Sequence, residues 1–152
     1  MISAEFIELA QRCAPEVHYV TLARLARNES SFNPYAIALS SRDKLQRQPK
    51  TKEEAIATAK ELEKRGYRFA GGVLQVHSQH FKSKGVTFDK LFDTCANMTY
   101  AQTIFMDCFD ADPGQGALPM QMRLKRAASC YATGNYIDGF KNGYVRKFLA
   151  PI

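Results

Sequence analysis

With 152 residues, of which 45% are hydrophobic and 24% charged, the chain has the composition of one globular domain that can bury a core. No run of about 18 apolar residues is present, so no transmembrane helix is expected. The formal net charge of +6 favours an anionic partner. Basic residues between positions 42 and 68 are mixed with glutamates, so we expect a solvated helix face there and no nucleic-acid binding.

Two helices are predicted at the start of the chain. Residues 3–12 have an apolar face and Ser3 as the cap, and this segment lacks the basic start and apolar core of a secretory signal. We therefore expect either export by another route or a mature chain from which a signal was removed. The second helix, residues 15–27 and onward, should end near Glu29 or Ser31, because Pro34 cannot continue it.

Glu29 is the candidate general acid in this first part of the chain. A carboxyl group at the end of a helix faces the negative pole of the helix dipole, and Phe32 and Ile37 can shield it from water. Both effects favour the neutral form, which a glycosidase needs in order to protonate a leaving oxygen. Most glutamates at helix ends are simply solvated, so this pattern alone is weak evidence.

The middle of the chain is predicted to contain a loop, a helix and a glycine-containing segment. Residues 35–49 are predicted to be a surface loop or short hairpin, and residues 51–66 a helix with a capping box of Thr51 and Glu54. Residues 67–78 contain two adjacent glycines that allow close backbone approach, and Gln75 is placed to direct its amide into a cleft. An ordinary turn before an apolar strand is the alternative interpretation.

Three further helices complete a mainly α fold. They are predicted at residues 98–109, with Asn97 or Thr99 as the cap, at 120–131, with Met122 among the inward-facing residues, and at 144–149. Gly134 is a natural left-handed stop after the second of these. The histidines at 77 and 80 lack a third ligand at a useful spacing, so no metal site is expected.

The chain has four cysteines, and no two of them form a C-x-x-C pair, which gives a zinc site little support. They suit two disulfides in an oxidising compartment, although four buried thiols remain the alternative. Three pairings exist. We favour Cys13 with Cys95, which would join two segments that precede helices, and Cys108 with Cys130, which would link two adjacent helices.

Three separated segments together resemble one family, the lysozyme-like lytic transglycosylases, and in particular its small members associated with conjugation and type IV secretion. Residues 29–37, ESSFNPYAI, are similar to the segment that carries the catalytic acid, and residues 72–78, GVLQVHS, to a Gly-Leu-Met-Gln-Ile-Asn segment. Residues 130–135, CYATGN, resemble a Tyr-Asn-x-Gly segment. The order and separation match over nearly the whole chain. Two departures are His77 and Ala132, which stand where the family usually has asparagine.

The resemblance implies a single lysozyme-like α+β domain, residues 1–152, that cleaves the bond between N-acetylmuramic acid and N-acetylglucosamine in peptidoglycan. Glu29 would act as acid and then as base, forming a 1,6-anhydro sugar without water as nucleophile. Ser30, Gln75 and Tyr131 would orient the acid or hold the sugar, and no cofactor is implied. A monomer in the periplasm, acting with a secretion or conjugation apparatus, is the expected setting. A hydrolase of the same fold and a wall-binding assembly protein with degenerate catalysis remain as rivals.

Overall fold

The computed structural model describes residues 1–152 as nine α-helices, one short 3-10 helix (Ser78–His80) and one small antiparallel sheet. The helices are α1 (Ala4–Cys13), α2 (Tyr19–Ser30), α3 (Lys52–Lys64), α4 (Phe81–Lys84), α5 (Phe88–Leu91), α6 (Thr94–Asp110), α7 (Met120–Thr133), α8 (Asp138–Lys141) and α9 (Tyr144–Leu149). The strands are β1 (Ile37–Leu39), β2 (Phe69–Gly71) and β3 (Val76–His77). The predicted mainly α class is confirmed. None of the helices is both long enough and apolar enough to cross a membrane.

The first two helices begin and end at identifiable signals. The Ser3 hydroxyl accepts the Phe6 N–H at 3.1 Å and caps α1, as predicted. Helix α2 begins at Tyr19, four residues later than predicted, because a turn follows Pro15 and His18 Nδ1 accepts the Val20 N–H at 3.1 Å. It ends at Ser30, within the predicted range.

One compact unit consists of residues 1–28 and 102–152. In it, α7 packs against α8 and α9, and Gly139 lies so close to α7 that an added Cβ would fall 2.7 Å from the Ser129 Cα. The buried Asp112 carboxylate accepts two hydrogen bonds from the Arg126 guanidinium, at 2.7 and 2.8 Å. Helix α7 ends at the left-handed Gly134, as predicted.

Disulfides use every cysteine of the chain. The predicted pair Cys108–Cys130 joins α6 to α7, with the two Cα atoms 5.9 Å apart. Cys13 and Cys95 are also disulfide-bonded. The expectation of disulfides, in preference to four buried thiols, is therefore confirmed.

The other compact unit consists of residues 29–101. Its sheet has the order β1-β2-β3, with Ile37 opposite Gly71 and Gly71 opposite Val76. The Gln48 side chain pairs with both backbone groups of Ile37, accepting its N–H at 2.8 Å and donating to its carbonyl at 3.0 Å. This pairing satisfies the backbone groups of Ile37 at the outer edge of β1. Helix α3 packs against α5 in the same unit.

Three further details of the sequence-based predictions are wrong. The Thr51 hydroxyl accepts the Glu54 N–H as predicted, but the Glu54 carboxylate accepts from the Lys50 N–H, so the capping box is not reciprocal. Helix α6 begins at Thr94, because Asp93 Oδ2 accepts the Ala96 N–H at 2.9 Å and provides the cap. Met122 is exposed; the fully buried residues of α7 are Ala127, Ala128 and Ser129.

Candidate active site

The C-terminus of α2 places Glu29 immediately before a strained backbone segment. Glu29 is the penultimate residue of the helix and is partly buried. Ser31 and Phe32 follow with φ values of 53° and 65°, in the left-handed region that bulky side chains rarely adopt. Each such residue costs on the order of 1–3 kcal/mol and persists only where the surroundings impose it. Two in succession next to a carboxylate are typical of a functional site.

Ser30 connects the strained backbone after α2 to residues 72–78, the second of the three segments singled out in the sequence. Its hydroxyl donates to the Val73 carbonyl at 2.6 Å and accepts the Asn33 N–H at 3.1 Å. Asn33 in turn accepts the Tyr35 N–H on its side-chain oxygen at 2.9 Å, which closes a local turn. The backbone on either side of Pro34 is therefore held, and the residue adjacent to Glu29 is fixed to residues 71–75.

Residues 71–75 form a tight turn between β2 and β3. The Gly72 N–H donates to the Ala36 carbonyl at 2.9 Å, and the Gln75 N–H donates to the Gly72 carbonyl at 3.1 Å. Gly72 has a φ of +89°, and a Cβ added there would lie 2.1 Å from Asn97 Nδ2 and 2.5 Å from the Leu91 carbonyl oxygen. Only glycine fits at this position.

Gln75 is 7% exposed and has a positive φ of 49°. Its side-chain nitrogen donates to the Ala36 and Gly72 carbonyls, both at 2.9 Å. Its Oε1 atom is buried and has no hydrogen-bond partner. A buried acceptor without a hydrogen-bond partner costs about 1–3 kcal/mol, which adds to the strain of this turn. The side-chain nitrogen of Gln75 stabilises the turn through these two hydrogen bonds.

Asn97 has a different role in this region from the one that its place in the sequence suggests. It was predicted as a possible helix cap, but it lies inside the first turn of α6 and is 0% exposed. Its side chain bonds to residues on both sides of Gly72 and to the Leu91 carbonyl. Asn97 lies on the same buried face of α6 as Met98, Ala101 and Ile104. A polar residue at an apolar position of the helical period was the signal that could have identified it.

Tyr131 belongs to the other compact unit, residues 1–28 and 102–152. It lies near the end of α7, is partly buried, and has its ring 6.4 Å from that of Phe105 at an angle of 51°. The neighbouring Cys130 is fixed by its disulfide to Cys108. Glu29, Ser30 and Gln75 thus lie in one unit, and Tyr131 lies in the other.

His77 directs both ring nitrogens to partners within the unit of residues 29–101. Nδ1 accepts the Gln79 N–H at 3.0 Å, so in the neutral ring the proton is on Nε2, which lies 2.7 Å from the Ser40 hydroxyl oxygen. Burial, and then the nearby charges of Arg68 and His80, lower the pKa of His77 below its ordinary value. No group of three or more His, Cys, Asp or Glu side chains is arranged to hold a metal ion.

Comparison with known proteins gives a consistent result. A family model described as a transglycosylase SLT domain matches residues 7–150. The chain is 40% identical over 154 residues to the type IV secretion system protein virB1 of Brucella abortus biovar 1, covering 95% of this chain and 63% of the relative. It is 36% identical over 146 residues to protein virB1 of Agrobacterium tumefaciens strain 15955, covering 95% of this chain and 59% of the relative. The chain thus spans about three-fifths of the length of these relatives. No solved structure matches it significantly.

Proposed function

The chain belongs to the family of transglycosylase SLT domains, with a lysozyme-like, mainly α fold, and on that premise we propose that residues 1–152 form one peptidoglycan lytic transglycosylase domain. The substrate is the β-1,4 bond between N-acetylmuramic acid and N-acetylglucosamine. The observation that carries the proposal is the placement of Glu29 at the end of α2. It precedes two left-handed residues and is followed directly by Ser30, whose hydroxyl donates a hydrogen bond to the Val73 carbonyl.

In the proposed reaction Glu29 acts twice. Its carboxyl group first donates a proton to the glycosidic oxygen as the bond to the muramic anomeric carbon breaks, leaving an oxocarbenium-like centre. The resulting carboxylate then takes the proton of that sugar's 6-hydroxyl, whose oxygen bonds to the anomeric carbon. The proton returns to Glu29, no water is consumed, and the product is a 1,6-anhydro sugar. One carboxylate therefore suffices, with the substrate's acetamido group stabilising the cation.

Three further residues support the acid in this proposal. Ser30 fixes the backbone at Glu29 through its bond to the Val73 carbonyl. Gln75 is assigned to binding a sugar substituent on the family resemblance alone. Tyr131 is assigned the role of holding the Glu29 carboxyl group, on the family resemblance alone. No cofactor takes part.

The biological setting is proposed from the relatives, one of which is named a type IV secretion system protein. We propose that the protein acts as a monomer in the periplasm and opens the wall locally for a secretion or conjugation apparatus. Four disulfide-bonded cysteines support an oxidising compartment. The net charge of +6 supports attraction to an anionic wall polymer.

Mass analysis of released muropeptides tests this proposal. Purified peptidoglycan is incubated with the wild-type protein, with Glu29→Gln and with a matched control, Glu63→Gln. Glu63 is the penultimate residue of α3, as Glu29 is of α2, and it is exposed. We expect the wild type and the control to release products lighter by one water molecule than reducing muropeptides, and Glu29→Gln to release none.

Other outcomes of this experiment would identify the rival functions. Reducing muropeptides would show a hydrolase of the same fold. Binding of peptidoglycan without release by any of the three proteins would show a wall-binding assembly protein, the rival that the departures at His77 and Ala132 raise from the sequence alone. Equal release by Glu29→Gln and the wild type would remove Glu29 from the reaction.

A further inference from the structure

Both polar atoms of the Asn97 side-chain amide form hydrogen bonds that hold one turn of the chain. Its Oδ1 accepts the Leu74 N–H at 2.9 Å, and its Nδ2 donates to the Gly71 carbonyl at 3.1 Å and to the Leu91 carbonyl at 2.9 Å. The side chain therefore bonds to the backbone just before and just after the Gly72-Val73 pair. Because Asn97 is 0% exposed, it cannot touch a glycan strand.

The turn of residues 71–75 needs such a support. Its left-handed residues, Gly72 and Gln75, include one that is not glycine, and strained conformations persist only when the surroundings over-determine them. A buried and fully satisfied polar network specifies one arrangement of the groups it joins, because any other arrangement leaves buried groups unpaired. Asn97 supplies three buried hydrogen bonds of this kind.

One short hydrogen bond links this turn to the residue next to the proposed acid. The Val73 carbonyl, at the centre of the turn, accepts from the Ser30 hydroxyl at 2.6 Å, and Ser30 follows Glu29 directly in the chain. A movement of the turn away from α6 would shift this carbonyl and release Ser30. Misplacement by about 1 Å through a change remote from the chemistry is enough to lower turnover by on the order of 100-fold.

We propose that Asn97 is a positioning residue for the reaction: it fixes the turn of residues 71–75 and, through Val73 and Ser30, the orientation of Glu29. The inference rests on the proposed function. It assigns a role in turnover to a residue that makes no contact with the substrate.

The discriminating variant is Asn97→Asp, which keeps the acceptor for the Leu74 N–H and removes both donors. At neutral pH a carboxylate would face the Gly71 and Leu91 carbonyl oxygens and repel them. At lower pH the protonated carboxyl group regains one donor, and burial beside two carbonyls favours that neutral form. We expect kcat at pH 7 to fall on the order of 100-fold, and the ratio of variant to wild-type kcat to recover as the pH falls.

Ser129→Ala is the matched control. Ser129 is also 0% exposed, and its hydroxyl donates to the Asn135 carbonyl and accepts the Gly139 N–H, both at 2.8 Å. Its loss should lower stability to urea while leaving kcat and the pH profile unchanged. As a readout independent of catalysis, hydrogen exchange at the Leu74 amide should be faster in Asn97→Ser than in Ser129→Ala.

The outcomes separate the two proposals. If the wild type releases anhydro products and the kcat ratio of Asn97→Asp stays near one at every pH, the positioning role is overturned and the proposed function stands. If the wild type releases no products, the proposed function fails and the positioning role fails with it. Should Asn97→Asp not fold, the kcat comparison is made with Asn97→Ser, where a loss no larger than that of Ser129→Ala overturns the inference.

Discussion

Replacing Gly72 by alanine tests the packing of the turn beside the proposed acid. The new Cβ would lie 2.1 Å from Asn97 Nδ2 and 2.5 Å from the Leu91 carbonyl oxygen, far inside van der Waals contact. One of these neighbours is backbone and the other is tied by hydrogen bonds, so neither moves without cost. Gly72 also has a φ of +89°, which alanine adopts unfavourably.

The two costs are separated by a control that the chain provides. Gly66 has a similar φ of +79°, but a Cβ added there meets nothing within 4 Å. Gly66→Ala should therefore lower the free energy of unfolding by the backbone term alone, about 1–2 kcal/mol. Gly72→Ala adds an overpacking term of about 1–3 kcal/mol, so its total loss is about 2–5 kcal/mol.

Urea unfolding followed by circular dichroism measures both variants, with equal m-values as the condition for comparing them. Equal destabilisation by Gly66→Ala and Gly72→Ala would refute the argument, since it would mean that the turn does not pack against Asn97 as the structure has it. Muropeptide release by Gly72→Ala should also fall at temperatures where the variant remains folded.

Two further predictions concern single side chains. Ser30→Ala removes the bond to the Val73 carbonyl, so it should cost about 1–3 kcal/mol of unfolding free energy and lower kcat; Ser30→Thr, which keeps a hydroxyl, should recover part of both in the same assays. Asp112→Asn should lose about 3–5 kcal/mol at neutral pH, because it leaves the Arg126 guanidinium half-paired. Hydrogen bonding to Arg126 lowers the pKa of Asp112 below its ordinary value. The wild-type advantage should therefore be full at neutral pH and shrink as the pH falls through the folded-state pKa, which thermal unfolding from pH 6 to pH 2 would measure. An advantage that stays constant over this range would contradict the assignment.

The long helices were predictable because each carries a full period of buried and exposed positions. Ser3, Thr51 and Gly134 act at their ends as the sequence indicated. Helices α4, α5 and α8 were missed, since four residues complete barely one turn and show no periodicity. The late start of α2 depends on a histidine cap that composition does not suggest.

The end of a helix at Glu29 could be inferred from the sequence, but the hydrogen bonds around the candidate site could not. Pro34 signalled that α2 must stop, and so placed Glu29 at a helix end. Nothing in a serine followed by phenylalanine indicates two left-handed residues, because tertiary contacts impose them. The same holds for Asn97, whose three partners lie 6 to 26 positions away in the chain.

His77 shows why a departure from a family pattern has to be judged by its hydrogen bonds. The family usually has asparagine here, and an amide offers one acceptor and one donor group. The neutral imidazole offers the same pair, since Nδ1 accepts the Gln79 N–H and Nε2 is left to donate to the Ser40 hydroxyl. Burial, Arg68 and His80 lower the pKa of His77, so the ring stays neutral to a lower pH than an ordinary histidine. The residue therefore keeps the hydrogen-bonding character of the amide it replaces, and its presence is no argument by itself for lost catalysis.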